Sequence, residues 1–141
     1  MIDKFETGLT DKRLFFNRID KYDPRVSLLG DGIHYADVTQ GNAGTCYVMA
    51  AVASLARYPE YVKSMFLNDK NHAGIYAVRF YIRGKPWIIT IDDTILFQNP
   101  VAPKPYFAHI NPIDHSIYPA LIEKAWAKMK GTYSHTESGF V

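Results

Sequence analysis

One cysteine, Cys46, stands among 141 residues, so no disulfide can form within the chain. Neither sign of charge prevails. Sixteen basic and 14 acidic side chains leave a net charge of +2, and the basic residues are scattered, so nucleic-acid binding has no electrostatic footprint to rest on. Long hydrophobic runs are missing too: the longest, near residues 47–56, is much too short to cross a bilayer. The N-terminus lacks the charged, apolar, small-residue order of a secretory signal. Internal repeats and low-complexity tracts are also absent. These absences set the expectation of an intracellular, cytoplasmic protein with no transmembrane segment and no nucleic-acid partner.

Apolar material is plentiful. Hydrophobic residues make up 48% of the chain and aromatic residues 14%, ample for one packed core in a single domain's length. Residues 1–29 are charged and punctuated by Asp23-Pro24, and read as an irregular arm or lead-in segment. The Asp31-Gly32 pair marks a turn. A helix is expected from Cys46 to Arg57; small and apolar residues lie on nearly every side of it, the pattern of a helix buried in the middle of its fold. Pro59 ends it, and a second short helix runs through Tyr61, Val62, Met65 and Phe66. Residues 75–82 alternate, Arg83-Gly84-Lys85-Pro86 turns, and residues 87–91 run apolar, which is a β-hairpin signal. Four prolines in residues 99–112 indicate a long surface loop, and residues 121–129 have helical periodicity closed by Gly131.

The chemistry gathers at Gln40-Gly41-Asn42-Ala43-Gly44-Thr45-Cys46-Tyr47. A thiol at a helix N-terminus meets partial positive charge and unpaired amide donors, which favour the thiolate. Gln40, six residues upstream across two glycines, can bring a side-chain amide back beside the sulfur, setting an oxyanion donor next to a nucleophile. A lone cysteine is more often a small core hydrophobe. Gly41 and Gly44, Gln40 and the helix-start position favour the nucleophile, because a structural cysteine needs none of them. Asp92 and Asp93 tempt as a carboxylate pair, yet neighbours on a strand point to opposite faces and read as structural.

Three blocks carry a resemblance. QGNAGTCYVMAAVASLA, GIYAVRFYIRGKPWIITIDDTILF and YPALIEKAWAKMKGTY, in that order, resemble the cysteine segment, the following strand pair and the next helix of the calpain family of cysteine proteases. The likeness covers roughly residues 30–139. It implies an α+β, papain-like cysteine proteinase fold, of which residues 30–141 are the first, cysteine-bearing lobe: a central buried helix starting at Cys46, a small antiparallel sheet and flanking helices. It assigns Cys46 as nucleophile and Gln40 as oxyanion donor, shared with the Cys46 backbone amide. Gly44, Ser138 and Gly139 become substrate-binding positions, although Gly139 also reads as a plain turn glycine. The family more often has aspartate where Thr45 stands and tryptophan where Tyr47 stands.

The family's catalytic base is a histidine oriented by an asparagine. None of His34, His72, His109, His115 and His135 lies in a segment like the family's histidine motif. The expectation is therefore the cysteine half of an endopeptidase, its second catalytic lobe belonging to the same polypeptide and its substrate a protein or peptide, inactive as an isolated lobe. A non-catalytic interaction or regulatory module, or an acyl- or thiol-transferring enzyme, is the alternative. The resemblance also implies regulatory Ca2+, with Gly30 and Gly32 as carbonyl donors and Asp37 as a carboxylate ligand. Ser116 stands where a further glutamate ligand is expected, and Asp114 is two residues away. Asp37 has an alternative role as a turn or capping residue.

Overall fold

The computed structural model describes residues 14–39, 41 and 44–136. Strand β1 (Leu14–Arg18) leads into a single turn of helix, α1 (Ile19–Tyr22). Helices α2 (Cys46–Leu55) and α3 (Pro59–Met65) follow, then strands β2 (Ile75–Ile82), β3 (Lys85–Asp92), β4 (Thr94–Gln98) and β5 (Lys104–Pro105), and last helix α4 (Tyr118–Lys130). The result is α+β, with two small antiparallel sheets: β1-β4-β5 and the hairpin β2-β3.

Local chemistry accounts for most of these elements. In the hairpin, Arg83 and Gly84 both take positive φ, 51° and 77°, so two residues suffice to reverse the chain in the sense that matches strand twist. Lys85 and Pro86, expected in the turn, therefore already belong to β3, paired with Ile82 and Tyr81. Strands β1 and β4 align Phe15 with Phe97, whose ring centroids stack 5.9 Å apart. Helix α3 begins on Pro59, where a missing N–H costs nothing. Helix α4 carries Pro119 in its first turn and ends at Gly131, whose φ of 104° suits only glycine. It starts three residues before the expected Leu121 because that proline is tolerated in a first turn.

Helix α4 lies at the centre of the packing. Tyr118, Ala120, Leu121, Ile122 and Ala125 join Val48, Met49 and Val52 of α2 and Val78 and Ile91 of the hairpin in the main core. Burial of a side chain such as Leu121 is worth about 2 kcal/mol. A smaller cluster sets Leu96 and Ala127 with Phe107 and Tyr133, whose rings stack at 3.7 Å.

Three expectations are corrected. Residues 14–29 are no irregular arm: β1 is an integral strand, and Ile19, Val26 and Leu28 are core residues. Helix α2 is not enclosed on all sides; Val48, Met49 and Val52 are buried, but Cys46, Ala50, Ala51 and Leu55 are exposed. Alanine tolerates either environment, so an alanine-rich stretch looks apolar all round without being buried. The proline-rich segment 99–112 is not merely a surface loop, since Pro105, Phe107, Ala108 and Asn111 are buried.

Charge is also buried. The ammonium of Lys124, fully excluded from solvent, donates to the carbonyls of Asp92 and Thr94 and to the Asp92 carboxylate, tying α4 to the corner between β3 and β4. Asp93 faces the other way and takes two bonds from Arg18, both 3.0 Å. The two aspartates thus brace different elements, as their opposite facing requires. Removing one partner of a buried pair leaves the other uncompensated. Lys124→Ala is expected to cost about 3 kcal/mol or more, read as a lowered midpoint in urea unfolding, while Lys63→Ala at the exposed Glu60 pair should cost under about 1 kcal/mol.

Candidate active site

Cys46 is the first residue of α2 and is solvent-exposed. The residue before it, Thr45, is fully buried and supplies the carbonyl that opens the helix, accepting Met49 N–H at 3.0 Å. Its hydroxyl does not turn back to cap the helix. It donates instead to Oε1 of Glu123, a carboxyl only 1% exposed whose Oε2 takes the Ala108 N–H at 2.7 Å. Burial pushes the Glu123 carboxyl up, and those two donated hydrogen bonds pull part of the way back.

The approach to the cysteine is held by the same neighbourhood. The Thr39 carbonyl accepts His109 N–H at 2.9 Å. Gly41 lies so close to the backbone of 106–107 that a Cβ there would sit 1.9 Å from the Phe107 carbonyl oxygen. Gly44 is exposed just ahead of Thr45. On the far side of the helix start, Tyr47 accepts a hydrogen bond from Trp126 Nε1 at 3.0 Å, and the two rings meet edge to face. Gln40, Ser138 and Gly139 lie outside the described residues.

Among the described residues no hydrogen bond or ion pair joins Cys46 to a histidine. His115 sits against Asp23, Nδ1 to Oδ2 at 2.8 Å, and His135 Nδ1 is 3.3 Å from the Lys130 carbonyl oxygen. No residue in the sequence reading pointed to Glu123, Ala108 or Trp126 as supports of the site. The signal was present in the Glu123-Lys124 pair, which interrupts an otherwise apolar helical face with charge.

The loop expected to take calcium is built around Asp37. Its carboxylate, 2% exposed, accepts from His34 N–H at 2.7 Å, the Tyr118 hydroxyl at 3.1 Å and Asn111 Nδ2 at 2.8 Å. Burial first, and then the Asp37 charge, push the Tyr118 phenol up and keep it a donor. Asp37 also caps the short 3-10 turn Tyr35–Asp37. Asp114 lies against Gly30, where a Cβ would stand 2.2 Å from Oδ2, and its Oδ1 takes the Ser116 N–H. Ser116 is fully buried and its hydroxyl has no hydrogen-bond partner among the described residues. Calcium takes six to eight oxygen ligands, and a site short of carboxylate charge binds it weakly. With both Asp37 oxygens taken by donors and a neutral hydroxyl at position 116, this donor set fits calcium poorly. Among the described residues no group of three or more His, Cys, Asp or Glu side chains is placed to hold a metal.

The calpain family cysteine protease profile matches residues 7–141, taking in Cys46, Thr45, Glu123 and the whole loop about Asp37. The chain belongs to the calpain family. The calpain-type cysteine protease DEK1 of Arabidopsis thaliana is 35% identical over 120 residues, which are 84% of this chain and 5% of that protein. Calpain-13 of Rattus norvegicus is 33% identical over 116 residues, 79% of this chain and 17% of its own length. A calpain of Schistosoma mansoni is 28% identical over 145 residues, covering 97% of this chain and 19% of the relative. The chain thus spans a small part of the curated relatives it matches. The family is one of cysteine proteases. No helix among the described residues is long and apolar enough to cross a membrane.

The close packing at Gly41 makes a direct prediction about this calpain segment. Gly41→Ala drives a methyl group into backbone, which cannot move aside as a flexible side chain can. A loss of about 2–3 kcal/mol is expected by chemical denaturation. Unchanged stability would mean that Gly41 does not meet the backbone of residues 106–107 as described.

Proposed function

We propose that this chain is the cysteine-bearing lobe of a papain-like calpain endopeptidase, with Cys46 the nucleophile. The observation that carries the reading is an exposed thiol on the first residue of α2, inside the region matched to a cysteine protease family. In the reaction the base takes the Cys46 thiol proton as Sγ attacks the scissile carbonyl carbon, and the carbonyl oxygen becomes an oxyanion held by the Cys46 backbone N–H and the Gln40 side-chain amide. Collapse expels the amine, which takes a proton from the base, and leaves a thioester on Cys46. Water, deprotonated by the same base, hydrolyses the thioester and restores the thiol.

The base and its orienting residue are assigned to a second lobe of the same polypeptide, a reading supported by the separate engagements of His115 and His135. Residues 30–141 belong to the cysteine lobe, and residues 14–29, which contribute Ile19, Val26 and Leu28 to its core, belong to it as well. Gly44, Ser138 and Gly139 would line the substrate cleft, and the substrate is an intracellular protein or peptide. Calcium regulation of the whole protein would reach this lobe through the loop of Gly30, Gly32 and Asp37, at a site weakened by Ser116.

In the whole enzyme, Cys46→Ala should abolish turnover, and Gln40→Ala should lower kcat roughly 10²- to 10³-fold with folding intact. A Gln40→Ala rate within about twofold of wild type would remove the oxyanion assignment. The purified 141-residue chain should fold yet hydrolyse no peptide. Hydrolysis that depends on Cys46 would show that one of its own histidines serves as base; a whole protein unchanged by Cys46→Ala would leave an interaction module instead.

Calcium binding to the isolated chain should be weak, with Kd on the order of 10⁻⁴ M or poorer, and lost in Asp37→Ala. Titration calorimetry decides it. Submicromolar binding dependent on Asp37 would mean that the carboxylate exchanges its three donors for the ion.

A further inference from the structure

Thr45 occupies the N-cap of α2, a position where a threonine hydroxyl ordinarily accepts a hydrogen bond from an N–H of the first turn and so closes the helix end. Here the hydroxyl points inward, to a carboxyl buried in the core. Two consequences follow. The first-turn amides beside Cys46 receive no side-chain cap among the described residues, so they stay available for an oxyanion. The helix start is anchored from behind, through Thr45, to α4.

Glu123 is well suited to that anchoring. Its side chain is 1% exposed, and each carboxyl oxygen accepts one donor from a different segment: Thr45 ahead of the cysteine, and Ala108 in the segment that also packs on Gly41. A buried carboxyl is costly unless both oxygens are satisfied, so its presence pins the two segments together.

We infer that Glu123 is a positioning residue for the nucleophile: through the Thr45 hydroxyl it holds the first turn of α2 in place behind Cys46 while drawing away the side chain that would otherwise cover that turn's amides. The inference rests on the reading of Cys46 as nucleophile. It adds a residue remote from the sulfur, acting only through Thr45.

Cys46 is the sole thiol, so alkylation of the 141-residue chain by iodoacetamide reads this one site. Circular dichroism keeps the comparison to folded protein. In wild type the folded chain should react at least threefold faster than the same chain in denaturant. Thr45→Val, which keeps the shape and removes the hydroxyl, should lose most of that acceleration, and Thr45→Ser should restore it. Glu123→Gln retains an acceptor for Thr45 but presents an amide to one of the two donors, so it should fall between; it also serves if Thr45→Val does not fold. Equal folded and unfolded rates in wild type would overturn this inference, whereas the nucleophile reading, whose base lies in the second lobe, is decided separately by turnover of the whole enzyme with Cys46→Ala. A wild-type acceleration that survives in both Thr45→Val and Glu123→Gln would overturn the positioning role alone.

Discussion

Glu123 and Lys124 are adjacent on α4, both excluded from solvent, and they point to different parts of the fold. Neighbours on a helix are about 100° apart, so two successive polar heads cannot share one set of partners. Lys124 reaches the corner at Asp92 and Thr94, and Glu123 reaches Thr45 and Ala108. Turning α4 by one residue would strand an ammonium and a carboxyl in apolar surroundings, each at a cost of several kcal/mol. The apolar residues around them supply most of the burial, but hydrophobic contact is non-directional and would accept other rotations. The charged pair fixes which one is adopted, and so fixes where the cysteine helix begins relative to the sheets.

The site inherits its order from that constraint. The segment 106–109 is gripped by Glu123 at Ala108, and it in turn meets Thr39 through the bond from His109 and Gly41 through a close approach. Thr39, Gly41 and Thr45 are therefore held by a layer that is itself held by α4. Cys46 stands at the outer end of this stack and is exposed, although its predecessor is fully buried. An exposed thiol and a fully buried neighbour are thus placed on consecutive residues.

Much of the fold was legible because local rules were obeyed. The hairpin, the helix after Pro59, the helix closed by Gly131 and the cysteine at a helix start all carry short-range signals, and these need no knowledge of distant partners. What failed was long-range. Residues 14–18 look unremarkable until β4 pairs with them, and Phe107 and Ala108 become core residues only because Tyr133 and Glu123 come to meet them. Alanine on α2 suggested enclosure because hydropathy alone does not separate a small exposed side chain from a small buried one. Of the candidate site, the helix start at Cys46 was readable from its neighbours in sequence, whereas the bond from Thr45 to Glu123, 78 residues away, shows itself only in three dimensions.

Two hydroxyl residues stand where the family resemblance expects carboxylates, and their surroundings give them opposite consequences. At position 45 a carboxylate would face Glu123 in a dry space, and two acids so close cannot both ionise; one would hold a proton. Threonine supplies a neutral donor in that place, so the exchange leaves the buried acid better matched. At position 116 the hydroxyl is enclosed without a hydrogen-bond partner among the described residues, and the negative charge a cation would need is not replaced there. Asp37, the other carboxylate of that loop, is satisfied by His34, Asn111 and Tyr118, donors from three parts of the chain. A hydroxyl is thus bonded to a buried acid at one position and enclosed without a hydrogen-bond partner among the described residues at the other. The support behind Cys46 is kept by hydrogen bonds from Thr45 and Ala108 to Glu123.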